Sequence, residues 1–212
     1  MKVLVLSPHT DDVELGAGGT ISKLMEEGWD TYWMVFSTAE KSLPEDVDKN
    51  TLRNEFLNVI GYLENKFILT IKKEIFSYEV RRLPEHRQEI LDHLVKVRNN
   101  YKPDLVIGPS IHDFHQDHQV VANEMIRAFK THASIICYEL PWNHIEFNTQ
   151  LFVELSEDNI SSKVEILQFY QSQMEMYRQY FSDEYARGLA SVRGTQIRAR
   201  YAEAFEVVRW QM

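Results

Sequence analysis

Short apolar runs and helically spaced apolar positions take turns along this chain. Val3-Leu4-Val5-Leu6 is wholly apolar and predicts a short buried strand. Ile21 to Glu27 combines good helix formers with apolar spacing and predicts a helix. Thr31–Phe36 predicts a second strand, and the polar stretch from Lys41 to Lys49, with Pro44, a loop. Leu52, Phe56, Leu57, Ile60 and Leu63 recur at helical spacing, so a helix is expected over 51–63, weakened in its last turn by Gly61. Phe67-Ile68-Leu69 predicts a third short strand, and Pro84 opens a helix whose apolar face is Ile90, Leu91, Leu94, Val95 and Val97. Residues 103–109 read as a fourth, buried strand with proline at both ends. Val120, Val121, Met125 and Ile126 lie on the helix after it.

The last third continues with strands at 134–138 and 151–155, and a helix over about 160–173. Another helix runs from about Ser182 or Gly188 to Ala204, and 205–210 closes as a strand. The aromatics Phe169, Tyr170, Tyr177, Tyr180 and Phe181 read as core or subunit contact. Strands alternating with helices imply parallel βαβ units. The expected fold is therefore α/β, a three-layer α/β/α sandwich around a Rossmann-like, mostly parallel sheet. One domain over residues 1–212 accounts for it.

Two polar clusters interrupt this pattern, each at the end of a predicted strand. The first is Ser7-Pro8-His9-Thr10-Asp11-Asp12-Val13-Glu14. Adjacent aspartates repel unless a cation or protons offset their charge, although carboxylates at a helix start can also be simple caps. The second is His112-Asp113-Phe114-His115-Gln116-Asp117-His118. His115 and His118 are three apart and share a helical face. If strands one and four are neighbours, both clusters open into one crevice at the carboxyl edge of the sheet, where α/β proteins bind ligands. Two imidazoles and one carboxylate with a position left open form a catalytic zinc set, and a leftover carboxylate and imidazole can move protons. That is equipment for hydrolysing an amide.

Composition narrows the classes. The 212 residues carry 23 basic and 32 acidic side chains, a net charge of −9, which disfavours nonspecific nucleic-acid binding. The lone Cys137 lies in an apolar run and rules out an internal disulfide framework. No stretch is apolar enough to span a membrane and no signal-peptide pattern opens the chain, so a cytoplasmic location is expected.

The motifs Pro8-His9-Thr10-Asp11-Asp12-Val13-Glu14 and Asp113-Phe114-His115-Gln116-Asp117-His118 together resemble the LmbE-like, or PIG-L, family of metal-dependent N-deacetylases acting on N-acetylglucosamine-containing molecules. Gly16-Ala17-Gly18-Gly19-Thr20, Ser172-Gln173, Arg193-Gly194 and Tyr201-Ala202-Glu203-Ala204-Phe205 extend the resemblance over most of the chain. It implies that His9, Asp12 and His118 hold the metal and that Asp11 is the general base. It also implies that His115 is the general acid or oxyanion stabiliser, with Asp117 orienting its ring. Asp113 is expected behind the ligands or near the substrate, Glu14 at the sugar pocket or as a cap, and Arg193 at an anionic part of the substrate or in a salt bridge. Thr10 departs from the usual proline, which loosens the loop without removing a ligand. Zinc is the expected metal, with iron(II) or cobalt(II) accepting the same donors.

His112 and His144 read as rim or structural, and Arg81 and Arg82 as solvated surface unless they face an anionic substrate. A nonsugar amide or ester is an alternative substrate. A nucleotide-binding Rossmann protein is the alternative class, though Gly16-Ala17-Gly18-Gly19 does not fit the GxGxxG spacing. A noncatalytic metal module would have no need of Asp11 or His115, and zinc base deaminases need cysteine ligands that are absent here. The chain is spent on the sandwich, so a neighbouring subunit is expected to help build the substrate pocket, and a homo-oligomer is expected.

Overall fold

The computed structural model describes residues 1–211. Its centre is a seven-stranded sheet in the order β3-β2-β1-β4-β5-β7-β6. The strands are β1 (Lys2–His9), β2 (Asp30–Ser37), β3 (Lys72–Ile75), β4 (Leu105–Pro109), β5 (Ser134–Tyr138), β6 (Leu151–Leu155) and β7 (Tyr201–Arg209). The first five run parallel, and β7 lies antiparallel between β5 and β6. The main helices are α1 (Asp12–Glu26), α2 (Thr51–Phe67), α3 (Arg87–Asn100), α4 (Gln116–Phe129), α5 (Glu157–Leu167), α6 (Gln171–Glu175) and α7 (Asp183–Thr195). The predicted α/β class and mostly parallel sheet are observed. Among the described residues, no helix is long and apolar enough to cross a membrane.

The sheet is buried on both faces, which is why its strands read as continuous apolar runs. On β1, Val3 and Val5 join one core layer, with Trp33, Val35, Phe56 and Ile107. Leu4 and Leu6 join the other, with Met34, Phe36, Val106 and Met125. Strand order reverses between β2-β1 and β4-β5, with Val3 opposite Leu105 and Val5 opposite Ile107. That is the switch point at which both polar clusters emerge.

Four expected elements differ. The helix expected from Ile21 already begins at Asp12 and carries the glycines after the first cluster inside it. Glycine in mid-helix costs about 0.5–1 kcal/mol. Here it permits close approach: a Cβ on Gly16 would lie 2.6 Å from the Tyr138 ring, and one on Gly19 2.5 Å from Leu155. Phe67-Ile68-Leu69 is not a strand; α2 runs to Phe67, Ile68 caps it in the left-handed conformation, and the strand follows at Lys72. The helix expected over 160–173 is two, α5 and the short α6. The helix expected to reach Ala204 stops at Thr195, and Tyr201–Ala204 belong to β7. Those four residues are all buried in an interior strand, so the apolar-in, polar-out alternation that would mark a strand is missing.

Candidate metal centre and active site

Each cluster is positioned by the end of a strand and the start of a helix. His9 is the last residue of β1, Asp11 the residue before α1, and Asp12 its first residue. Asp11 makes no side-chain capping bond. Asp12 turns back instead, its Oδ2 accepting the His9 backbone N–H at 2.7 Å. Simple capping therefore does not explain the aspartates. His115 is the N-cap of α4, and its Nδ1 accepts the Asp117 backbone N–H at 3.2 Å. His118 sits one turn in and is buried.

Three donor atoms converge. His118 Nε2 is 3.2 Å from His9 Nδ1 and 3.2 Å from Asp12 Oδ2, and Asp12 Oδ2 is 3.4 Å from His9 Nδ1. Donors held 2.0–2.1 Å from one tetrahedral ion would lie about 3.3–3.4 Å apart. The triangle has that size. The outer nitrogen of each imidazole meets a carboxylate: His9 Nε2 pairs with Asp117 Oδ2 at 2.9 Å, and His118 Nδ1 with Asp113 Oδ2 at 2.7 Å. Such backing fixes the ring and the tautomer of a metal-binding histidine. His115 stands on the same side, and one nitrogen from each of His9, His115 and His118 falls within 4.8 Å of the others.

The electrostatics follow from burial and neighbours. Burial resists charge on His118, but Asp12 and Asp113 outweigh it and raise its pKa to about 10. His9 is raised the same way, Asp12 and Asp117 outweighing burial. Asp12 is held well below the usual carboxylate range, the two histidines overcoming burial. Burial and the charge of Asp12 push Asp11 up to about 7. Burial and the two neighbouring histidines push His115 down to about 4, so its ring is neutral at pH 7. With Nδ1 accepting the backbone bond, its proton belongs on Nε2.

These groups open into a cavity of about 300 Å³. His9, Asp11, Asp12, His115 and His118 line it, together with Gln173 of the Ser172-Gln173 pair, Tyr180, which the sequence placed in the core or at a subunit contact, and two residues not singled out from the sequence, Asn143 and Arg178. Arg178 and Tyr180 come from an irregular segment between α6 and α7, where no strand end or metal-ligand spacing marks them. Arg81 also lines the cavity, whereas Arg82 is tied to Glu85 at the surface.

Other expected residues stand elsewhere. The Asp117 carboxylate does not orient His115; it bonds His9 and takes the backbone N–H groups of Arg81 at 2.6 Å and Leu83 at 3.2 Å. Asp113 is buried behind His118 and outside the cavity lining, its second oxygen holding the His115 N–H at 2.7 Å. Glu14 is fully buried against the Tyr170 hydroxyl at 2.6 Å rather than in the pocket, and burial pushes its pKa well above the usual carboxylate range. Arg193 is clasped by Glu139 beside a separate small cavity. His112 bonds Glu206 and His144 the Leu140 carbonyl.

A mostly parallel, Rossmann-like sheet with this carboxyl-edge site defines an α/β architecture of the LmbE type. Residues 4–129 match the family described as PIG-L: GlcNAc-PI de-N-acetylase, and the chain belongs to it. It is 23% identical over 172 residues to the uncharacterized deacetylase YaiS of Escherichia coli K12, covering 80% of this chain and 90% of that one. It superposes on N,N'-diacetylchitobiose deacetylase from Pyrococcus horikoshii with a TM-score of 0.79 at 21% identity, over 98% of this chain and 83% of that one. It superposes equally on GalB, the 4-carboxy-2-hydroxymuconate hydratase of Pseudomonas putida KT2440, with a TM-score of 0.78 at 18% identity over 100% and 97%. The fold is shared across those chemistries, so the reaction must be argued from the site.

Proposed function

We propose that this protein removes the N-acetyl group from an N-acetylglucosamine-type amino sugar or its conjugate, with a divalent metal held by His9, Asp12 and His118. The observation that carries this reading is the triangle of three donors, 3.2 to 3.4 Å on a side, each imidazole backed by a buried carboxylate. Zinc suits two nitrogens and one oxygen, and iron(II) or cobalt(II) accept the same set. When bound, the metal polarises the amide carbonyl and acidifies water.

The chain's own residues supply the rest. Asp11 lines the cavity beside the donors, and a carboxylate poised near neutrality is well matched to take a proton from water. That proton then passes to the departing amine, which leaves as the free amino sugar while acetate is released. His115, neutral and protonated on Nε2, donates a hydrogen bond to the carbonyl oxygen as that oxygen gains charge. Asp117 and Asp113 hold the two ligand rings. The exposed Phe114, Ile145 and Tyr177, each within two residues along the chain of a cavity-lining residue, support a homo-oligomer, which a monomeric mass in light scattering would overturn.

The test is elemental analysis of protein purified without chelator, followed by a panel of acetylated amino sugars scored by release of free amine. About one transition metal per chain and amine release that chelator abolishes are expected. No metal bound after addition of zinc or of anaerobic iron(II) would sink the reading. Metal without amine release from any sugar, but with hydrolysis of simple amides or esters, would move the substrate outside sugars.

A further inference from the structure

Two arginines at the cavity stand without a carboxylate. Arg82 is paired with Glu85 and Arg193 with Glu139. Among the described residues, neither the Arg81 nor the Arg178 guanidinium has an acidic oxygen within 4.0 Å, although both residues line the cavity together with Asp11 and Asp12. Arg81 reaches only Ser42 Oγ, at 3.4 Å. Arg178 lies beside the Tyr180 phenol.

Strained backbone lies at or next to each: Arg178 itself is extended, with φ −78. Arg81 has φ +70, and Tyr177, directly before Arg178, has φ +55. Left-handed backbone is unfavourable for residues with a Cβ and persists where the surroundings over-determine it. For Arg81 the cause is visible. Asp117, which steadies His9, also takes the Arg81 and Leu83 N–H groups, so the loop is pinned to the donor cluster. Tyr177 is 92% exposed, so no burial of its own ring accounts for its conformation. The chain as a whole is acidic, at −9, and repels anions unless cations are placed locally.

We propose that Arg81 and Arg178 read an acidic substituent, so that the preferred amino-sugar substrate carries a carboxylate or a phosphate beside its acetamido ring. The proposal rests on the deacetylase reading and narrows its substrate class. Guanidiniums suit both anions, since each can accept paired N–H donors.

The experiment compares three substrates on the metal-loaded protein: N-acetylglucosamine 1-phosphate, the N-acetylglucosaminide of glycolic acid, and the neutral methyl glycoside. At least one anionic substrate is expected to exceed the neutral one by about tenfold or more in kcat/KM, chiefly through KM. The two anionic arms separate phosphate from carboxylate. Arg178→Gln and Arg81→Gln should each shrink that ratio several-fold, with Arg178→Lys retaining much of it. Equal kcat/KM for all three in wild type, or variants that slow charged and neutral substrates alike through kcat, overturns the proposal while leaving deacetylation intact. A second readout does not need turnover. Calorimetric binding of glucosamine 1-phosphate, of the glucosaminide of glycolic acid and of methyl glucosaminide should favour at least one anionic ligand in wild type, and this preference should fall in the Arg178→Gln protein. Equal affinities would count against the rim even if no acetylated sugar is hydrolysed.

Discussion

Two buried polar clusters sit along α1, and they are built on opposite principles. Near its middle, Glu203 accepts the Gly19 and Thr20 amides and the Lys163 ammonium at 2.6 Å, and close by Glu139 clasps Arg193. Every carboxylate there has its own cation. At the N-terminal end of the same helix, Asp12, Asp113 and Asp117 surround His9 and His118, and no lysine or arginine side chain pairs with them among the described residues. Three donor atoms face one another there instead. A cluster that cancels its own charge holds a fold together. A cluster that concentrates lone pairs at one point is arranged for a cation, and the same carboxylates raise the proton affinity of both histidines in the ion-free protein.

The sharpest way to break this contrast is to delete from each side. His118→Ala should abolish metal binding and, with several kcal/mol of charge stabilisation gone, lower turnover by about 10³-fold or more. Elemental analysis beside an amine-release assay checks it; metal retained at one per chain would show that the donor triangle is not the site. Asp11→Asn should keep the metal and lose about 10²–10⁴ in kcat, since only proton transfer is removed. Glu203→Ala should do the reverse. Leaving Lys163 buried and unpaired should cost about 3–5 kcal/mol in denaturant unfolding while metal content stays near one per chain.

Smaller effects sharpen the picture. Asp117→Asn keeps a partner for His9 but removes the charge, and metal affinity should weaken about 10–100-fold by competitive chelation. Activity recovering fully at excess metal would separate this effect from damage to the loop at Arg81. The smallest effect is on pH dependence. His118 is raised to about 10 in the ion-free protein, so its proton stabilises the fold below about 6.5, and that contribution is lost as pH rises through 10. The same proton must leave for metal to bind. Affinity should therefore climb with pH up to about 10, by about tenfold per unit for each histidine proton displaced, with proton release visible in weakly buffered solution. A flat affinity over that range would mean that His118 is already neutral.

Much of this was legible because strand-end chemistry leaves a local trace. His9, Asp12, His115 and His118 lie in two short segments, and the apolar runs before them mark β1 and β4, whose pairing then joins the segments. What was not legible depends on partners distant in sequence. The glycines of α1 lie outside the helix the sequence predicts, because the groups that require them, Tyr138 at Gly16 and Leu155 at Gly19, lie over a hundred residues away. Asp117 is one residue from His118, yet its carboxylate serves His9, a choice made by the crossing of α4 over β1. Arg193 offered the sequence only a charge, and Glu139, 54 residues away along the chain, decides its use. Arg178 left no trace, since its segment has neither periodicity nor motif.

The position of β7 has a kinetic consequence. Its pairs with β5 and β6 span long stretches of chain, and β6 has no other neighbour in the sheet. The parallel half can assemble from adjacent βαβ units, but β6 must wait until Tyr201–Arg209 is available to receive it. Long-range pairing of this kind is slow, because loop-closure entropy is lost before the contacts form. Until then Lys163 lacks Glu203 and the amides of Gly19 and Thr20 lack their acceptor. The side of the molecule that closes last is thus the one that completes the packing of α1, the helix whose first residue is a donor of the metal triangle.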